Sequence, residues 1–177
     1  MFIASVRLAT RLACLAASVL LPAAAFADAA QIERGRYLVQ IGGCNDCHTP
    51  GYFLGAADMT RYLAGSEVAF EMPGLGAFAG RNLTPDKETG LGDWTAEQIV
   101  TALTTGERPD GRMLAPIMPW HAFAKLTAED AMAIAQFLMS IEPVKNAVPG
   151  PFGVGETVPM LMFRILPPGA TVADAPK

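Results

Sequence analysis

The stretch Gly42-Gly43-Cys44-Asn45-Asp46-Cys47-His48 decides how the rest of the chain is read. A C-x-x-C-H run is the attachment signature of a c-type haem. Two thiols at this spacing can add to the two vinyl groups of one porphyrin and form thioethers. The histidine next to the second thiol is then held against the ring, where its imidazole can ligate iron. Cys44, Cys47 and His48 are thus the first site residues, and one covalently bound haem c is the expected cofactor. Other uses of a C-x-x-C pair fit less well. The βαβ alternation around a thioredoxin-like dithiol is missing. A zinc site needs two more ligands, and outside the motif the chain has only Cys14 and His121 to offer. A disulfide between Cys44 and Cys47 would leave His48 without a role.

Working outward, residues 1–27 read as a secretory signal peptide. Arg7 and Arg11 precede an uncharged run, and Ala25-Phe26-Ala27 has the small-x-small pattern of a cleavage site. The uncharged stretch Leu12 to Ala27 is 16 residues long, short of the roughly 20 that cross a bilayer as a helix. The expected location is therefore periplasmic. Cleavage would remove two of the 13 basic residues and none of the 17 acidic ones, leaving a net charge of −6. That balance argues against a nucleic-acid partner, which calls for basic patches. It also leaves Cys44 and Cys47 as the remaining cysteines, both used by the motif.

The periodicity predicts three helices. The first runs from about Ala29 to Gly42, with Ile32, Gly35, Leu38 and Ile41 at helical spacing, and Gly42-Gly43 ends it at the motif. Gly35 in mid-helix implies a close crossing by another element. The second opens at Trp94-Thr95-Ala96-Glu97-Gln98, with Thr95 and Gln98 forming a capping box and Gly106 ending it. The third starts at Thr127, with Asp130 in the same capping pattern. Ile134, Phe137, Leu138 and Ile141 form its buried stripe, and Pro143 stops it near Glu142. Between Thr49 and Gly80 the reading gives at most a short helix near Ala57 to Ala64 and otherwise loop. After Glu142 come seven of the chain's 14 prolines and no regular structure. That tail reads as wrapped over the domain or as a docking strap.

The order of these elements resembles the class I cytochrome c fold from Gln31 to about Glu142. Gly35-Arg36-Tyr37-Leu38 lies on the first helix, the haem motif follows, and Phe137 lies on the last helix. The resemblance implies an all-α fold whose N- and C-terminal helices cross beside one covalently bound haem, Gly35 against Phe137. The domains are then 1–27 signal peptide, 28–142 cytochrome domain and 143–177 proline-rich extension. Arg81-Asn82-Leu83-Thr84-Pro85-Asp86, Thr89-Gly90-Leu91-Gly92-Asp93-Trp94-Thr95 and Pro116-Ile117-Met118-Pro119-Trp120 are more specifically similar to cytochrome subunits of membrane-associated alcohol and aldehyde dehydrogenases. Those subunits often carry three haems; this chain has one C-x-x-C-H. The matching segment also suggests Arg81, Asn82 and Trp94 as hydrogen-bond donors to the haem propionates.

The second iron ligand decides the function. Nine methionines are available, and Met118 stands out because it precedes a proline in the glycine- and proline-bounded loop Gly111 to Trp120. In class I cytochromes the distal methionine occupies this place; Met113 and His121 are the alternatives. A His/Met pair raises the reduction potential and leaves no position for substrate. The expected function is then electron transfer without catalysis. A periplasmic dehydrogenase is the expected donor, an oxidase or another cytochrome the acceptor, and a membrane-associated complex a further expected setting. An open or displaceable distal position would instead make the protein a haem enzyme or gas sensor.

Overall fold

The computed structural model describes residues 23–166 and 168–169. The leader reading falls mostly outside them; its last five residues, 23–27, are described only as helical backbone at the start of α1. Helix α1 spans Ala23–Ile41 and the one-turn α2 spans Cys44–His48. A hairpin of β1 (Val68–Met72) and β2 (Gly76–Ala79) follows. Then come α3 (Ala96–Thr105), the short α4 (Trp120–Phe123), α5 (Ala128–Ser140) and a late strand β3 (Leu161–Phe163). No helix among the described residues is long and apolar enough to cross a membrane.

The core is the crossing of α1 with α5, with α3 packed on α5. Leu38, Val39, Ile99, Leu103, Ile134, Phe137 and Leu138 are buried in one cluster, which Leu63 joins from the loop after α2. Gly35 makes the crossing close. A Cβ there would lie 2.0 Å from the Ala133 carbonyl oxygen and 2.8 Å from the Phe137 Cβ. Val39 is fully buried while Ile41 is 63% exposed, so the inward stripe of α1 is rotated from the predicted one.

The helix ends follow local chemistry. Thr95 accepts from the Gln98 N–H and Gln98 accepts from the Thr95 N–H, a complete capping box. At α5 only half of that pattern forms. Thr127 accepts from the Asp130 N–H, but the Asp130 carboxylate turns to Arg34 on α1, at 2.8 and 3.1 Å. The expected second capping box is thus an inter-helix ion pair instead. It holds Asp130 below the usual carboxylate range, chiefly through the hydrogen bond from Arg34.

The all-α expectation is corrected by a three-stranded mixed sheet in the order β2-β1-β3. β1 and β2 pair antiparallel, with Phe70 opposite Phe78. Their turn is Met72-Pro73-Gly74-Leu75, closed by Leu75 N–H to the Met72 carbonyl at 2.9 Å. Pro73 presets the first central residue and Gly74 supplies φ 78° at the second, as a type II turn requires. β3 pairs parallel to β1, Phe70 opposite Phe163, and their rings stack at 5.4 Å. Two corrections follow. The segment Thr49 to Gly80 is not a structureless loop, since it holds this hairpin and single 3₁₀ turns at Tyr52–Leu54 and Met59–Arg61. The chain after Glu142 is not without regular structure, because it contributes β3 and an isolated bridge from Phe152 to Ala77.

Candidate functional site

Helix α2 presents the three motif residues on a single turn. Gly42 and Gly43 separate it from α1, and Gly43 takes φ 66°, a left-handed conformation that costs other residues energy. Cys44 and Cys47 are both free thiols and half-buried. Burial pushes Cys44 up to about 11, and burial likewise raises Cys47. Among the described residues no group of three or more His, Cys, Asp or Glu side chains could hold a metal ion.

His48 is buried, and its Nδ1 lies 2.6 Å from the Arg81 carbonyl oxygen. A carbonyl only accepts, so Nδ1 carries the proton and donates, and Nε2 keeps a lone pair. Burial lowers the pKa of the ring, and the Arg81 carbonyl opposes that shift. A neutral imidazole with one nitrogen tied and the other free is what an iron ligand requires. The backbone around it is pinned as well. Gly65 N–H donates to the His48 carbonyl at 2.7 Å, and Ser66 N–H donates to the Gly80 carbonyl at 3.0 Å. Gly80 lies against α2 so closely that a Cβ would sit 1.7 Å from the Cys47 carbonyl oxygen.

Met118 lies in the loop between α3 and α4. It is partly buried against the core cluster, on the rim that also includes Cys44, Tyr62, Leu91, Trp94 and Phe123. The loop is well fixed. Leu114 N–H donates to the Gly106 carbonyl at 2.7 Å, Met118 N–H to Ala115 at 2.9 Å and Trp120 N–H to Met118 at 2.8 Å. The Trp120 indole covers Gly106, where a Cβ would come within 2.7 Å of the ring. Of the alternatives, Met113 is 57% exposed. His121 is exposed too, its ring against Trp120 with centroids 3.4 Å apart.

The three suggested propionate donors occupy different settings. Trp94 packs on the core rim. The Arg81 guanidinium donates to the carbonyls of Val148 and Gly150. Burial lowers its pKa, and so do the nearby charges of Arg108 and Arg112. Asn82 is buried, and both its amide N–H groups are engaged within the protein, by Thr89 Oγ1 at 3.0 Å and the Val144 carbonyl at 2.7 Å. Its amide oxygen accepts from Thr84 N–H and Oγ1.

Several site residues escape a reading by sequence alone. Gly80 gives no sign of its close approach beyond being a glycine before Arg81. Arg108, whose guanidinium lies 5.8 Å from the Trp94 ring centroid, and Arg112 add to a cationic cluster around Arg81. The residues of this region that could hold a haem fit the group: two free thiols and a histidine with one nitrogen free on one turn, an apolar rim, and guanidiniums suited to carboxylates.

No protein-family model matches the chain. It is 36% identical over 139 residues to the fructose dehydrogenase cytochrome subunit of Gluconobacter japonicus, covering 75% of this chain and 27% of that one. It is 37% identical over 119 residues to the cytochrome c subunit of the quinone alcohol dehydrogenase of Gluconobacter oxydans (strain 621H), covering 67% and 23%. A diheme c-type cytochrome of Cereibacter sphaeroides is 36% identical over 118 residues, covering 64% and 36%. The chain thus spans about a quarter of the length of the first two relatives. With the C-x-x-C-H turn at its centre, the chain belongs to the c-type cytochromes related to bacterial dehydrogenase subunits.

Proposed function

We propose that the protein is a periplasmic single-electron carrier with one haem c, taking electrons from a dehydrogenase and passing them to an oxidase or another cytochrome. The observation that carries this reading is the His48 arrangement. Nδ1 is tied to the Arg81 carbonyl at 2.6 Å, and Nε2 is left as a ligand beside two free thiols. The leader-like residues 1–27 support the location, and the relatives' names support a dehydrogenase as donor.

Haem c, when bound, supplies a one-electron iron couple. Cys44 and Cys47 would hold the group, one thioether each. His48 Nε2 and the Met118 thioether would be its two protein ligands, which would leave no position for substrate. The partly buried apolar rim around Met118 would lie against the group, and a soft thioether ligand would favour the reduced state. Arg81, Arg108 and Trp94 would offer N–H donors to the propionate carboxylates, while Asn82 braces the loop that carries Arg81. The domain over 28–142 holds the group.

Ligation is tested by the absorption spectrum of the oxidised protein and of Met118→Ala. Wild type is expected to show a red-region sulfur-to-iron band that the variant lacks, with the variant's reduction potential lower. A band that survives the substitution would move the assignment to Met113. Its absence from wild type, with rapid carbon monoxide binding on reduction, would favour the enzyme or sensor reading.

A further inference from the structure

Chain after α5 touches the two loop segments, at Gly65 and at Arg81, whose backbone hydrogen-bonds His48. Val144 N–H donates to Thr84 Oγ1 at 3.0 Å, and the Val144 carbonyl accepts from Asn82 at 2.7 Å. Asn146 N–H donates to Thr89 Oγ1 at 2.9 Å, while its side-chain amide donates to the Ala64 carbonyl at 2.7 Å. Val148 presses on Gly65, where a Cβ would lie 2.3 Å from the valine methyl. The carbonyls of Val148 and Gly150 accept from the Arg81 guanidinium. Two of these anchor points flank the histidine directly. Gly65 N–H holds the His48 carbonyl, and the Arg81 carbonyl holds Nδ1. Thr84 is fully buried and Asn82 2% exposed, so the bonds between them are shielded from water, where hydrogen bonds are strongest, while those to Val144 and Asn146 are part-buried.

We infer that residues 144–150 are a positioning segment for the iron-ligating histidine. They clamp the Arg81 peptide against Nδ1 and so help to set the reduction potential. This rests on the His48 ligation proposed above. A strongly held Nδ1–H···O=C bond makes the imidazole a better donor, which stabilises oxidised iron and lowers the potential. Loosening the clamp therefore raises it. Removing the Arg81 charge by itself would act in the opposite direction, because a nearby cation favours the reduced state.

The test uses full-length holoprotein carrying Asn146→Ala or Arg81→Lys, with Arg164→Ala as control. Arg164 ties β3 to Glu71 at 2.5 Å and touches none of the anchors above. Spectroelectrochemistry should show both clamp variants shifted upward by about 30 to 60 mV, roughly three- to tenfold in the one-electron equilibrium constant. The sulfur-to-iron band should be retained and the control unshifted. Amide exchange at Gly65, which needs no iron, should quicken at least tenfold in Asn146→Ala. An unchanged potential with unchanged Gly65 exchange would overturn the inference, and so would a downward shift in Arg81→Lys or an equal shift in the control. A colourless wild type would refute the haem reading separately, and Gly65 exchange would still judge the clamp.

Discussion

Gly80→Ala is expected to destabilise the protein by about 3 kcal/mol or more and to cut the yield of haem-bearing protein severely. The added methyl would lie 1.7 Å from the Cys47 carbonyl oxygen, 2.7 Å from its carbon and 3.3 Å from His48 Nδ1. The obstacle is backbone, so no side-chain rotation relieves it; either α2 or the strand end carrying Gly80 has to move. Both movements break named bonds. Gly80 accepts from Ser66 at 3.0 Å, and Arg81, the next residue, accepts from His48 at 2.6 Å. The substitution therefore disturbs the turn that carries the thiols and the carbonyl that fixes the histidine tautomer. Denaturant unfolding with a haem stain on the denatured protein measures both effects. A variant with wild-type stability and full haem content would show that α2 does not depend on this approach.

Gly35→Val is expected to cost a similar amount, about 3 kcal/mol, through the core rather than the site. Its Cβ would lie 2.0 Å from the Ala133 carbonyl oxygen and 2.6 Å from the Ala133 carbon, so α1 and α5 would have to separate along their whole contact. Phe137, fully buried one turn further along α5, would lose packing as they part. The neighbouring Arg34–Asp130 pair provides the contrast. It spans the same two helices at 2.8 Å, but the arginine side chain is half exposed. Exposed pairs are screened by water and contribute little, so Arg34→Ala should shift the unfolding midpoint far less than Gly35→Val. Equal shifts would mean that the crossing is held by charge rather than by close packing.

The parts of this architecture readable from sequence are those fixed within a few residues. The α3 boundaries follow from Thr95, Gln98 and Gly106, and the α5 start from Thr127, because a cap is a local event. Gly35 announced the α1–α5 crossing because a mid-helix glycine has few other uses. The hairpin carried a usable signal in Met72-Pro73-Gly74-Leu75, but Val68 to Met72 lack the clean alternation of a half-buried strand; their inner end is buried on successive residues. β3 is beyond local reading altogether, since its pairing joins Phe70 to Phe163 across the length of the domain. Asp130 shows the same limit on a smaller scale: its spacing fits a capping box, and a distant arginine takes the carboxylate instead.

At the candidate site, Cys44, Cys47 and His48 stand out in the sequence because the proposed chemistry would be carried by their side chains. The group that orients His48 is a backbone carbonyl, which has no residue signature. Its position depends on Gly80 and on chain more than 60 residues further on, through contacts such as Asn82 with Val144. Arg108 and Arg112 reach the same region only because the loop between α3 and α4 folds back by a bridge between Glu107 and Met113.

The most direct test of the account is the intact mass of the protein, measured under denaturing conditions after expression in a host competent in haem attachment. The account predicts the polypeptide plus one haem, a mass that survives unfolding and is reduced to bare polypeptide in Cys44→Ser/Cys47→Ser. An unmodified wild-type mass, with both thiols open to alkylation, would contradict it.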